Sequence, residues 1–301
     1  MENMFGADDA GELSLIDAAK DGERSALEAL IRKHQDWIYN ITLRMVGNPE
    51  DAEDVTQEVI IKLMTRLSSF EKRSSFRTWA YRITVNHVLT MRRRPWERMF
   101  CSFERHADLI ESLQEMDRAR SLHSGVDEQL LLEETRTGCV TGMLLCLDRR
   151  ERIALILGSF FDVSSELGGE LLETTPANFR QILSRARKRL GSFMNEQCGL
   201  MNEANSCRCA RKIHGAMQAG LVDPRHLRFN LPYLHRIREF VAEKAPAVDT
   251  AVEMKLQGIL RDQPLYASPD FRRVIDIMLR RGDIGEIVNF NEEAGPCGRS
   301  L

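Results

Sequence analysis

The chain has 301 residues, 43% of them hydrophobic and 29% charged, enough for two or three ordinary domains, which excludes a disordered tail or a disulfide mini-scaffold. Its 42 Lys and Arg against 45 Asp and Glu give a formal charge of −3, a total that on its face argues against a protein held to nucleic acid by phosphate contacts. Seven cysteines, an odd count, and an opening without a basic-then-apolar leader point to reduced thiols and a cytoplasmic setting; no apolar run approaches the ~18 residues of a membrane span.

Apolar residues recur at helical spacing and alternating β-branched runs are almost absent, so the expected fold is all-α. Leu27, Leu30, Ile31, His34, Ile38, Ile41 and Met45 form one stripe of a long amphipathic helix that Gly47 stops. Asn48 as cap and Pro49 at the first position open a second helix, with Val55, Val59, Leu63 and Leu67 inside, acids in its first turns and Lys62 and Arg66 at its end. A polar stretch, 68–75, precedes a third helix whose apolar side is Phe76, Trp79, Ala80, Ile83, His87 and Met91, and which Pro95 terminates. Residues 104–134 hold nine acids against three arginines and read as an acidic, partly helical linker. Helical patterning resumes near Thr135 and runs to about Phe193. A cysteine-bearing stretch follows, and then a helical extension marked by Leu234, Ile237, Phe240 and Val241, by Met254, Leu256 and Leu260, and by Phe271, Val274, Ile275, Met278 and Leu279.

The near-neutral total conceals segregated charge. Residues 50–58 contribute −5 through Glu50, Asp51, Glu53, Asp54 and Glu58, with Gln57 among them; a cluster so dense suits a basic partner protein better than DNA. Residues 71–100 carry +6 with Phe76, Trp79, Tyr81 and Trp96 interleaved, a composition suited to single-stranded nucleic acid. Phe76 and Trp79 lie on the apolar face and read as core, whereas Tyr81, Arg82 and Asn86 lie off it and are the better contact candidates. The stretch 163–190 has the shape of a helix-turn-helix: a short helix from Ser164, a turn at 173–175, then a helix opened by Pro176. One face of that second helix is apolar and the other offers Asn178, Arg180, Gln181, Ser184, Arg185, Arg187 and Lys188. A solvated basic surface helix is the competing reading. Cys198, Cys207, Cys209 and His214 are four ligands of zinc type at an unfamiliar spacing; a zinc site or a thiol switch competes there with a plain basic turn, and no other cofactor is expected.

The stretches N-P-E-D-A-E-D-V-T-Q-E-V from Asn48 and S-S-F-R-T-W-A-Y-R-I-T-V-N from Ser74 resemble region two of bacterial RNA polymerase sigma factors of the extracytoplasmic-function group. L-D-R-R-E-R from Leu147 and S-R-A-R-K-R-L ending at Leu190 are similar to their region four. The resemblance implies a region-two domain over 13–97, the acidic linker over 98–134, a region-four helix-turn-helix domain over 135–193 and a further extension over 194–301. It implies that Asp51, Glu53, Asp54, Gln57 and Glu58 dock on the β′ clamp helices of core RNA polymerase. It implies that Lys72, Arg73, Ser74, Ser75, Arg77, Tyr81, Arg82, Asn86, Arg92 and Arg93 recognise and melt the minus-ten element, trapping a flipped base. Thr175, Asn178, Arg180, Gln181, Ser184, Arg185, Arg187 and Lys188 would then read the minus-thirty-five duplex. The expected protein is a non-enzymatic initiation factor whose partners are core polymerase, promoter DNA and an anti-sigma or sensing protein. The alternative is a stand-alone helix-turn-helix regulator without polymerase binding. Gly168, Gly169 and Glu173 depart from the family pattern in the helix-turn-helix, and the extension is expected to hold the factor inactive.

Overall fold

A computed structural model describes residues 10–117, 127–229 and 251–280. Among them are thirteen α-helices and no strand, as the periodicity requires. They form two compact units: one built from the described residues 10–38, 56–84 and 270–280, the other from 39–55, 85–117, 127–229 and 251–269.

In the first unit, α1 (Ala10–Lys20) and the leading half of α2 (Arg24–Val46) meet the trailing half of α3 (Pro49–Thr65) and most of α4 (Phe76–Thr90). Its centre is aromatic. Trp37 stacks on Tyr81 with ring centroids 4.2 Å apart, and Phe76 lies 5.5 Å from Phe70 and 5.4 Å from Trp79. His34, which reads as a plain core position, is buried with its Nε2 3.0 Å from Glu12 and its Nδ1 accepting from Trp37 Nε1 at 3.1 Å. Burial holds the imidazole pKa below its ordinary value despite that carboxylate. The α13 helix (Arg272–Arg280) belongs to this unit, where Arg24 pairs with Asp276.

The second unit takes the trailing end of α2, the leading turns of α3 and the end of α4, then α5 (Pro95–Met99), α6 (Phe103–Asp117), α7 (Glu128–Leu145), α8 (Arg149–Ser159), α9 (Ser165–Leu171), α10 (Pro176–Gln197), α11 (Ile213–Gln218) and α12 (Ala251–Arg261). Side-chain caps set the helix starts: Asn48 accepts from the Asp51 amide at 3.1 Å, Asp148 from Glu151 at 2.9 Å, Ser164 from Leu167 at 3.2 Å and Thr175 from Asn178 at 3.1 Å. Each such cap is worth about 1 kcal/mol. Gly47, at φ +79°, stops α2 and also makes room for α7, since a Cβ there would lie 2.6 Å from Leu145 Cδ1. The acidic 104–134 stretch, expected to be a partly helical linker, is helical over 104–117 and 128–134: α6 buries Ile110 and Leu113, and α7 buries Leu131. The expected helix around Leu234–Val241 lies outside the described residues.

Candidate nucleic-acid interface

Five of the predicted docking residues fall on α3. Glu53, Asp54 and Glu58 are exposed, while Asp51 and Gln57 are half-buried. Partial burial pushes the Asp51 and Glu53 carboxyls above their ordinary pKa; at Asp51 the nearby Arg94 opposes this and the neighbouring acids add to it. Arg94 Nη1 stands 3.9 Å from both Asp51 Oδ1 and Asp54 Oδ2, so a guanidinium hovers over the acidic patch.

The segment before α4 is held at a few points only. Lys72 takes a left-handed backbone, φ 58°, and pairs with Asp17 at 2.6 Å; Arg73 pairs with Glu71 at 2.7 Å, and all four side chains reach solvent. Ser75 is the N-cap of α4, its Oγ accepting from the Thr78 amide at 3.1 Å, which leaves Ser74 as the half-exposed hydroxyl of the loop. On α4, Arg82 and Asn86 are exposed one turn apart, and Arg92 and Arg93 are exposed beyond its end. Tyr81 departs from expectation: it is completely buried, stacked on Trp37, with its phenol pushed up to about 12 by burial. The helical wheel placed it beside the apolar stripe rather than in it, but α2 packs against that flank through Trp37. Arg77 lies half-buried with its guanidinium 5.8 Å from the Trp37 ring and 5.9 Å from that of Tyr81. Trp79, expected in the core, is only partly buried.

The α9 and α10 helices are joined by a turn in which Glu173 adopts φ 49°. Gly168 and Gly169, which weaken α9 by propensity, are explained by contact: a Cβ on Gly168 would lie 2.4 Å from Phe179 Cζ, and one on Gly169 would lie 3.0 Å from Thr174 O. Arg150 Nη2 donates to Leu172 O at 2.7 Å and ties the turn to α8. The outer face of α10 then presents Ala177, Arg180, Gln181, Ser184 and Arg185 around an open, shallow depression, with Lys188 exposed one turn further on. Arg180 is steadied by Ser165 Oγ at 3.1 Å.

Three other expected contact residues serve the fold here. Thr175 is the cap, and Asn178 Nδ2 donates to Thr174 Oγ1 at 2.6 Å. Arg187 turns inward, donating to Gly158 O at 3.2 Å and to Ser159 Oγ at 3.3 Å, and burial lowers its pKa.

Cys198, Cys207, Cys209 and His214 are not assembled as a metal site: among the described residues no three His, Cys, Asp or Glu side chains are grouped as a metal ion requires. Cys198 and Cys207 are buried, and His214 Nε2 instead lies 2.9 Å from Gln218. The buried ammonium of Lys212 donates to Cys139 Sγ at 3.2 Å, a pairing that nothing in the local sequence announces. Sequence reasoning also missed a buried ion cluster. Glu97 is bonded by Arg149 at 2.9 and 2.7 Å and by Arg152 at 3.1 Å. The only available signal was Arg149 and Arg152 standing inside the L-D-R-R-E-R motif.

Residues 30–98 match the model of Sigma-70 region 2. Among similar proteins, the RNA polymerase sigma-H factor of Pseudomonas aeruginosa is 35% identical over 85 residues, which is 27% of this chain and 44%, less than half, of that protein. The RNA polymerase sigma factor YlaC of Bacillus subtilis is 27% identical over 173 residues, 58% of this chain and 94% of its own length. The ECF RNA polymerase sigma-E factor of Escherichia coli is 28% identical over 181 residues, 58% of this chain and 89% of its own. No described helix is long and apolar enough to cross a membrane.

Proposed function

From a chain that belongs to the extracytoplasmic-function type of RNA polymerase sigma factor, we propose the following division of labour. The protein binds core RNA polymerase and directs promoter recognition and melting, without catalytic activity of its own. The exposed acids of α3 dock on the β′ clamp helices. The 72–75 loop with Arg82, Asn86, Arg92 and Arg93 holds the minus-ten strand, and α10 reads the minus-thirty-five duplex. The observation that carries this reading is the sorting of side chains on α10: Arg180, Gln181, Ser184, Arg185 and Lys188 share the exposed face, while Arg187 is turned into the fold.

The test is run-off transcription with core polymerase on a promoter selected with this protein. Arg180→Ala and Gln181→Ala are each expected to weaken binding to the selected minus-thirty-five duplex by about 1–3 kcal/mol at fixed salt, with relaxed base preference at one position. Lys188→Ala should weaken all sequences alike and reduce the salt slope by about one. Unchanged affinity in a salt-controlled titration removes these residues from the reading face. A stand-alone regulator would bind DNA but fail to retain core polymerase in a pull-down; the acidic α3 favours the sigma reading, and Glu53→Lys with Asp54→Lys should abolish that retention.

A further inference from the structure

The geometry points to Cys139 as an oxidation site for hydrogen peroxide, with Lys212 holding its thiol in the reacting form and an adjoining cavity admitting the oxidant. All of these groups belong to the second unit, and the chemistry stands apart from promoter recognition.

The site starts from a buried cation. Lys212 is 1% exposed, and among the described residues the one hydrogen-bond acceptor for its ammonium is Cys139 Sγ, at 3.2 Å. A buried charge must be paired, since leaving it alone costs its full desolvation. No carboxylate fills that role: Glu134, which lines the same cavity, is taken up by the Arg228 and Phe229 amides at 2.6 and 2.9 Å. The sulfur is therefore the counter-charge. Burial alone would lower the lysine pKa, but the charges of Cys139, Cys207 and Cys209 and the Cys139 hydrogen bond outweigh it and leave the pKa above its ordinary value. Cys139 is only half-buried, whereas Cys198 and Cys207 are enclosed. A thiolate stabilised by an ammonium and reachable by small molecules is the form that oxidants attack, while buried structural thiols are inert.

Beside this pair lies a cavity of about 40 Å³ between α5, α6, α7 and α11. One water needs about 10–15 Å³ of such space, so the cavity takes a molecule of two heavy atoms and excludes bulky reagents. Trp96, Phe100, Leu109 and Ile110 make most of its wall apolar. His106 lines it too, with Nε2 3.8 Å from Cys139 Sγ. Burial, reinforced by the Lys212 charge, pushes this imidazole down to about 3, so it is neutral. Its Nδ1 is buried with no hydrogen-bond partner among the described residues. A peroxide hydroxyl, both donor and acceptor, can bond to it whichever ring nitrogen carries the proton.

In the reaction the Cys139 thiolate attacks one peroxide oxygen, forming the S–O bond and breaking the O–O bond. The departing hydroxide takes a proton from the Lys212 ammonium and leaves as water. Sulfur is oxidised to the sulfenic acid and peroxide is reduced. The ion pair becomes a neutral amine beside a neutral acid, so no buried charge is stranded.

Cys101 provides an internal comparison, being exposed with its sulfur 3.6 Å from Arg105 Nη1, so exposure alone ranks it first. In the experiment the reduced full-length chain is exposed to limiting hydrogen peroxide and quenched in denaturant with dimedone and an alkylating reagent. Mass spectrometry then quantifies each cysteine peptide. Cys139 is expected to lose its free thiol about tenfold faster than Cys101, recovered as a dimedone adduct or as a disulfide to Cys207 or Cys209. Equal rates, or Cys101 first, overturn the site. Lys212→Met should slow oxidation at Cys139 about tenfold at neutral pH and make its rate climb toward the ordinary thiol value of about 8.5, where the wild-type rate stays flat. Lys212→Arg, which keeps the charge, should retain the flat profile. An unchanged rate and profile in Lys212→Met of wild-type helicity by circular dichroism overturns the role of Lys212. Should that variant lose helicity, the wild type decides by the order of Cys139 and Cys101 and by its own pH profile.

Discussion

Single residues explain the departures from the family pattern around α9 and α10. Glu173 holds a left-handed backbone, which costs a residue with a Cβ roughly 1–2 kcal/mol. Glu173→Gly is therefore expected to raise stability by about 1 kcal/mol less glycine's own entropic penalty, read as a shift in the denaturant midpoint at constant m-value. Gly168 behaves in the opposite way. Although alanine is the better helix former, Gly168→Ala drives a methyl into the Phe179 ring and should destabilise by about 1–3 kcal/mol in the same measurement. Glu97 supplies a pH signature. Burial pushes its carboxyl up, but the Arg149 hydrogen bonds, the Arg152 charge and the Arg94 amide outweigh it and leave the pKa below the ordinary 4.5. A carboxylate depressed on folding contributes stability that is fully present above the unfolded value and lost as pH falls through the folded one. The gap in thermal midpoint between wild type and Glu97→Gln should accordingly be full near neutrality and shrink in acid below about pH 4.5.

At the scale of elements, legibility followed how much of a helix its own sequence controls. Capped, periodic helices such as α3 and α10 were readable because Asn48, Thr175 and the prolines beside them act within one turn. The acidic linker was harder. Nine acids suggested an acidic, partly helical linker, but Ile110, Leu113 and Leu131 are buried against neighbours a periodicity count does not include, and Glu134 is buried as well, accepting from the Phe229 amide. Faces were the least certain part: Tyr81 and Arg187 sit at the edges of their stripes, where the neighbouring helix decides between core and surface. Because α10 presents Arg180, Gln181, Ser184 and Arg185 outward and holds Arg187 inward, Arg187→Ala should lower thermal stability more than it weakens DNA binding, the reverse of Arg185→Ala.

At the scale of the molecule, the sequence by itself determined the all-α class, the alternating blocks of charge, the two motif stretches and most of the exposed acidic and basic side chains on α3 and α10. These depend on periodicity, capping and residue type, which act over a few positions. Only the tertiary structure decided that Arg149 and Arg152 converge on Glu97, that Asn40 fastens Tyr266, and that Cys139, Cys207 and Cys209 gather about the buried Lys212 ammonium, with no three metal-ligating side chains grouped among the described residues. Those pairings join residues tens to hundreds of positions apart. Their energies come from desolvating one partner against another, a quantity set by which helices pack together and invisible in either local segment alone.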